Sequence, residues 1–299
     1  MSQARRALAA ETVEILERGW YDHPSRGRVS IGKELAGAVA GTRLWGPDEP
    51  VGPLAASPAP AVATSVEVVN ETSLSAARRM VGADGGGGGR GGGDEQGSGG
   101  RGGGDGAVGC LNFASAKNPG GGFLRGTQAQ EESLAYASGL YRCLVEVPDF
   151  YAFHRKEGDP LYSDRAIFSP SVPVFRDDRG DLLARPYPVS FLTVAAPNAG
   201  AMDANDERRA RLPEVLFERS GRALSLFAAS GVRELVLGAW GCGVFRNSPA
   251  LVADCFATHL GPSGAFHGRF ERVVFAVLDD IPGTPVHDAF VRAFAGGLG

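Results

Sequence analysis

From Ser65 onward, short runs of strand-forming residues alternate with longer helix-forming stretches, and this rhythm constrains the fold more than any other feature of the chain. SVEVVN (65–70), AVGCLNF (107–113), AIFSP (166–170), VPVFR (172–176), VSFLTVAAP (189–197), ELVLGAW (234–240) and RVVFAVLD (272–279) read as strands. SLSAARRMV (73–81), QEESLAYASGLYRCL (130–144), a long region from about 206 to 229, SPALVADCFATHL (248–260) and about 285–296 read as helices, the long one bent at Pro213. Strands that alternate with helices require crossovers, which give a parallel or mixed sheet sandwiched between helices. Ligands of such sheets bind beyond the carboxyl ends of the strands, where loops lead into helices. Two glycine-bearing loops follow strands, 113–130 and 240–248.

Ahead of this region, residues 3–18 carry the spacing of an amphipathic helix, with Ala7, Val13, Ile15 and Leu16 as its apolar candidates and Gly19 as its stop. A shorter helix is expected after Ser30. The proline-rich segment 45–61 reads as a linker or an extended wrap. The expected division is therefore an N-terminal helical extension with its linker, 1–60, and a second unit, 61–299. Within the latter, residues 82–106 are so rich in glycine that no defined cradle is expected; this is read as a disordered insert, and it lacks the Lys-Ser/Thr ending of a phosphate loop.

Composition removes several function classes. With 299 residues and 43% hydrophobic content the chain has ample material for a core. Its formal charge of −4 provides no basic footprint for nucleic acid. Cys110, Cys143, Cys242 and Cys255 form no CxxC pair and read as buried free thiols, and the histidines show no metal-ligand spacing, so no metal and no cofactor are expected. The first residues are charged and no apolar run reaches the length of a membrane span, so a soluble monomer in the cytoplasm is expected, without a membrane partner.

The chemistry concentrates in NFASAKNPGGGFLRGTQAQEE, 112–132. Gly120, Gly121 and Gly122 allow close backbone approach to a ligand, and free N–H groups near a helix start attract anions such as a diphosphate. Asn118 is placed to bond a ribose hydroxyl. Glu131 and Glu132 supply adjacent carboxylates for acid–base work. A plainer reading makes Thr127 and Gln130 a capping box with glutamates complementing the helix dipole, which explains TQAQEE but not NPGGG. The second loop, GAWGCGVFRN (238–247), exposes backbone at Gly238, Gly241 and Gly243, and Phe245 is an aromatic fit to pack on a ribose or base; the competing reading is a tight turn with Phe245 in the core. Trp240 is assigned to the core. Asn70-Glu71-Thr72 and Pro197-Asn198 also follow strands; the former reads better as a helix cap for 73–81. From residues alone, the reading ends at a site for a phosphate-bearing sugar.

The run LNFASAKNPGGGFLRGTQAQEESLAYASGLY (111–141) resembles the signature of the bacterial-type poly(ADP-ribose) glycohydrolases, in which three glycines are followed after a short spacer by QEE. VSFLTVAAPN and LVLGAWGCGVFRN are similar to later motifs of that family, and the resemblance spans nearly the whole chain, the insert at 82–106 being the main departure. It implies a macrodomain-like three-layer α/β/α sandwich with a mixed central sheet and an N-terminal helical extension. It also implies metal-independent hydrolysis of the ribose–ribose bonds of poly(ADP-ribose), or of ADP-ribosylated protein, with ADP-ribose as product. By motif position Glu132 is the implied acid/base and Glu131 orients the ribose. Gly120, Gly121, Gly122, Gly241, Cys242, Gly243 and Val244 fall in the implied diphosphate loops, Phe245 packs on ribose, and Asn118, Gln130 and Asn198 complete the binding set. A macrodomain that only binds ADP-ribose, or one that removes a single unit or cleaves an O-acetyl ester, is the alternative; a pure reader has no use for QEE at this place.

Overall fold

The computed structural model describes residues 3–51, 64–83 and 108–296; most of the 45–61 segment and nearly all of the glycine-rich insert lie outside them. In chain order the elements are α1 (Gln3–Arg18), β1 (Trp20–His23), β2 (Gly27–Ser30), α2 (Gly32–Gly41), β3 (Arg43–Trp45), β4 (Ser65–Val69), α3 (Ser73–Val81), β5 (Val108–Phe113), α4 (Gln130–Ala137), α5 (Leu140–Leu144), α6 (Pro148–Glu157), β6 (Ala166–Arg176), β7 (Leu182–Val194), α7 (Leu212–Ala229), β8 (Glu234–Leu237), α8 (Pro249–Leu260), β9 (Arg272–Ala276) and α9 (Pro285–Phe294).

Seven strands form one mixed sheet in the order β3-β6-β7-β5-β8-β9-β4. The first two pairings are antiparallel, β3 with β6 and β6 with β7. From β7 through β5, β8 and β9 to β4 every pairing is parallel. The expected mixed sheet covered by helices on both faces is therefore what forms. Alternation along the central strands divides the core in two. Cys110, Val236 and Val274 face one hydrophobic cluster with Leu134, Leu140 and Phe150; Leu111, Leu235, Val273 and Phe275 face the other with Phe227, Phe256 and Phe290. The central strand β5 is buried except at Phe113.

The helix expected over 130–144 is two helices. Ser138 is extended, bridges Val174 of β6, and its hydroxyl donates to the Leu134 carbonyl. Gly139 N–H donates to the Pro173 carbonyl at 2.9 Å, so sheet pairing replaces the next helical turn. Conversely, 166–170 and 172–176 are one strand with an irregularity at Ser169/Val172, where Ser171 has φ 48°. Pro213 does not bend a helix; it occupies the first turn of α7, where a missing N–H costs nothing. Ala7 is exposed, and α1 instead buries Ala9, Thr12, Ile15 and Leu16. The hairpin β1–β2, the edge strand β3, the helix α6 and the first half of β7 carry too few residues or too little periodicity to stand out in the sequence. Because β3 pairs with β6, residues 43–45 belong to the main sheet.

Candidate active site

The parallel strands β7, β5 and β8 are neighbours, so the segments that follow them, from Ala195, Ala114 and Gly238, leave the same edge of the sheet. The β5 segment delivers the QEE helix. Ala129 is the N-cap of α4 and makes no side-chain cap bond, so Thr127 and Gln130 do not form the expected capping box. The Gln130 amide is instead spent on β5. Its Oε1 accepts from Phe113 N–H at 2.9 Å, and its Nε2 donates to the Leu111 carbonyl at 2.8 Å and the Ser73 hydroxyl at 3.1 Å. With those partners Gln130 ties α4 to the strand.

Glu131 and Glu132 are both buried, at 2% and 7% exposure, although both lie in the first turn of a helix where carboxylates are ordinarily solvated. Glu131 Oε2 accepts from Ser115 N–H at 2.6 Å and Oε1 from Asn112 Nδ2 at 3.3 Å; Asn112 in turn reaches Thr193 Oγ1 at 3.0 Å. Burial pushes the Glu131 carboxyl up to about 8, the Ser115 and Asn112 donors pull it down, and the neighbouring Glu132 raises it further. Burial thus favours the neutral form of Glu131, while the N–H donors on both of its oxygens favour the carboxylate. Glu132 Oε1 accepts from Gly122 N–H at 2.8 Å.

The glycine triplet is shaped around these carboxylates. A Cβ on Gly121 would lie 2.5 Å from Glu132 Oε1 and 3.2 Å from Glu131 Oε2, and its φ is +62°, so both steric space and backbone conformation call for glycine. Gly121 N–H donates to the Asn118 carbonyl and Gly122 N–H to Glu132. These two N–H groups are engaged within the chain, the second of them on a glutamate. The Asn118 side chain is exposed at the mouth of this loop.

The β8 segment forms the opposing wall. Trp240 is buried, as expected, and its indole donates to the Val194 carbonyl at 3.0 Å. Gly241 has φ +74°, and a Cβ there would meet Ala196 Cβ and Asn247 Nδ2, each at 2.5 Å. Asn247, which the sequence reading passed over, is 4% exposed and braces the loop by donating to the Pro197 and Gly241 carbonyls at 2.8 and 3.2 Å. Its only signal was a polar residue just before the Ser248-Pro249 start of α8. Gly243 and Val244 are exposed at the tip, Val244 at 78%. Phe245 is half-buried, its ring 5.9 Å from that of Tyr162, and Gly200 N–H donates to its carbonyl at 2.8 Å. Cys242 has a thiol pushed up to about 12 by burial, so it is not a thiolate nucleophile. Asn198 N–H donates to the Pro160 carbonyl at 2.7 Å and its amide points to the Tyr162 hydroxyl. Tyr162 itself has φ 56° and gave no sequence signal.

The sites farther along the sheet edge resolve as structure. Thr72 caps α3 by accepting from Ser75 N–H at 3.0 Å. Glu71 pairs with Arg79 at 2.7 Å, and Asn70 exchanges bonds with the Asp279 backbone. Among the described residues no group of His, Cys, Asp and Glu side chains is arranged to hold a metal ion, and no helix is long and apolar enough to cross a membrane.

Comparisons with known proteins converge. The family described as microbial-type PARG, catalytic domain, matches residues 9–177. The chain is 50% identical to the poly(ADP-ribose) glycohydrolase of Thermomonospora curvata, with a TM-score of 0.86 over 98% of this chain and 100% of that one. The same protein bound to the inhibitor ADP-HPD aligns with a TM-score of 0.84 over the same shares. The poly(ADP-ribose) glycohydrolase of Deinococcus radiodurans in complex with ADP-ribose is 41% identical, with a TM-score of 0.74 over 88% of this chain and 97% of that one. A search of curated proteins finds no match.

Proposed function

The chain belongs to the microbial-type poly(ADP-ribose) glycohydrolase family and is a glycosidase of that family, and from this premise we propose that it cleaves the ribose–ribose bonds of poly(ADP-ribose) with Glu132 as the acid/base. The observation that carries the residue assignment is the seat of Glu132: a buried carboxyl group, held by Gly122 N–H against Gly121 at the carboxyl edge of the sheet. The substrate is poly(ADP-ribose), free or attached to protein, and the product is ADP-ribose. The body from residue 61 onward acts as a macrodomain, with residues 1–60 as an N-terminal extension that lends the edge strand β3 to its sheet.

The steps balance with one carboxyl and one water. Glu132 gives its proton to the departing ribose oxygen as the bond from that oxygen to the anomeric carbon breaks. The oxocarbenium-like ribose that remains is stabilised by the substrate's own phosphate charge. Glu132, now a carboxylate, takes a proton from water as the water oxygen bonds the anomeric carbon, and the carboxyl is restored. Two adjacent glutamates on one helix cannot flank a glycosidic bond as a two-carboxylate glycosidase does. Glu131 acts differently: its buried carboxyl, held by Ser115 N–H and Asn112 Nδ2, orients the ribose through its hydroxyls. Phe245 packs on the ribose, and the exposed tip at Gly243–Val244 offers backbone N–H groups to the diphosphate, with Gly241 and Cys242 setting its turn and Asn198 and Asn118 at the rim.

The deciding experiment incubates wild type and Glu132→Gln with poly(ADP-ribose) and measures ADP-ribose release beside ADP-ribose binding by calorimetry. Loss of turnover with retained binding is expected. Full activity in the variant rejects Glu132.

A further inference from the structure

Glu132 and Tyr136 lie one turn apart on α4, on the same face of the helix. Glu132 uses that face to take Gly122 N–H. Tyr136 uses it to hold the rest of the same loop: its hydroxyl lies 2.9 Å from the Phe123 carbonyl and 2.9 Å from the Thr127 carbonyl. Between these points the loop is a closed turn, because Arg125 N–H and Thr127 N–H both donate to the Gly122 carbonyl, at 2.9 and 3.2 Å. The residue that positions Glu132 and the residues that Tyr136 grips are therefore one rigid unit, beginning at Gly122.

This unit is braced from the N-terminal extension. Thr12, fully buried in α1, donates its hydroxyl to the Tyr136 carbonyl at 2.8 Å across 124 residues of sequence. Ala9 of α1 is buried with Phe123, Ala135 and Tyr136, and Leu8, Val13 and Tyr141 close the cluster. The Phe123 ring stands edge-on to Tyr136 at 5.6 Å and tilted against Tyr141 at 4.6 Å. Burial, followed by the Glu132 charge, pushes the Tyr136 phenol up, which keeps its proton available for donation.

We infer that Tyr136, locked by Thr12 of the N-terminal helix, is a positioning residue that fixes the glycine loop so that Gly122 N–H aims the Glu132 carboxylate. The inference rests on Glu132 being the acid/base. It gives the extension a part in turnover that substrate contact does not require, since the Thr12 and Tyr136 hydroxyls are both spent on backbone carbonyls. Misplacing a reacting group by a fraction of an ångström to one ångström slows chemistry while leaving ground-state binding in place.

The test measures kcat and KM on poly(ADP-ribose), and Kd for ADP-ribose, in Tyr136→Phe, Thr12→Val, Thr12→Ser and Glu132→Gln. Tyr136→Phe removes only the hydroxyl and is expected to lower kcat roughly 10- to 100-fold with KM and Kd within about twofold of wild type. Thr12→Val, nearly isosteric and remote from the site, is expected to lower kcat in the same direction by roughly 3- to 10-fold, and Thr12→Ser, which keeps the donor, to restore it. Wild-type kcat in Tyr136→Phe overturns the inference, as does a parallel loss of kcat and ADP-ribose binding, which marks a general structural defect. If Tyr136→Phe does not fold, the Thr12 pair decides: equal rates in the Val and Ser variants overturn it. An active Glu132→Gln rejects the acid/base assignment itself, a result separable from wild-type behaviour in the Tyr136 and Thr12 variants alone.

Discussion

Replacing Glu131 with Gln should change how the stability of this protein depends on pH. The Glu131 carboxyl is 2% exposed, and its pKa stands at about 8 against an ordinary 4.5, chiefly through burial. Since the folded state binds this proton more tightly than the unfolded chain, the stabilisation is fully present below about pH 4.5 and is lost as pH rises through about 8. Each pH unit in that window costs about 1.4 kcal/mol, giving an upper limit of roughly 5 kcal/mol across it. The Ser115 and Asn112 donors work against the shift, so a loss between about 2 and 5 kcal/mol is expected. The amide of the Glu131→Gln variant would carry no ionisable group. It would also offer one acceptor where the Ser115 and Asn112 donors converge, so a pH-independent penalty accompanies the substitution. The slope is therefore the diagnostic quantity. Thermal or urea unfolding of both proteins from pH 5 to 9 should show wild type losing stability relative to the variant, a differential of roughly 5–15 °C in Tm. Parallel curves across that range would refute the buried, protonated state of Glu131.

Two further outcomes follow from the same geometry. Gly121→Ala forces a Cβ to 2.5 Å from Glu132 Oε1 at a φ of +62°; it should lower kcat at least about 100-fold in a polymer-hydrolysis assay and cost about 1–2 kcal/mol in urea unfolding. His154 is 1% exposed, and burial first, then the charges of Arg165 and Arg219, hold its imidazole down at about 4 against a Phe150 carbonyl bond that raises it. The unfolded histidine gains its proton near pH 6.5, so stability is lost as pH falls from about 6.5 through about 4, by on the order of 2–3 kcal/mol. His154→Gln should remove that acid-side slope, read by unfolding at pH 4 to 7.

Hydrophobic period and turn residues made most of the sheet legible in advance. β5, β8 and β9 have near-continuous apolar runs because both faces of a parallel strand are covered. β3 is three residues long and gains its conformation from pairing with β6, so no local signal exists for it. The split between α4 and α5 is similarly non-local: residues 130–144 keep helical periodicity, but Ser138 and Gly139 find backbone partners at Val174 and Pro173.

The same division runs through the site. That glycines and glutamates would converge after β5 follows from their spacing and from the position of that strand's end. Their division of labour does not. Spacing makes Gln130 a cap residue, but the cap of α4 is Ala129, and β5 places the Leu111 carbonyl and Phe113 N–H beside the Gln130 amide. That Gly122 N–H would reach Glu132 is decided by the fold and not by the spacing of the triplet. Tyr136 and Asn247 gave almost no signal, because their partners are distant or belong to loop backbone. Sequence by itself determined the alternating architecture, the sheet edge where chemistry gathers and the pair of carboxylates available for it, since these depend on periodicity and residue type. Tertiary structure alone decided how deeply the two carboxyls are buried, which backbone donors they take and what holds the loop still, because desolvation and hydrogen-bond partnership arise only when segments far apart in the chain meet.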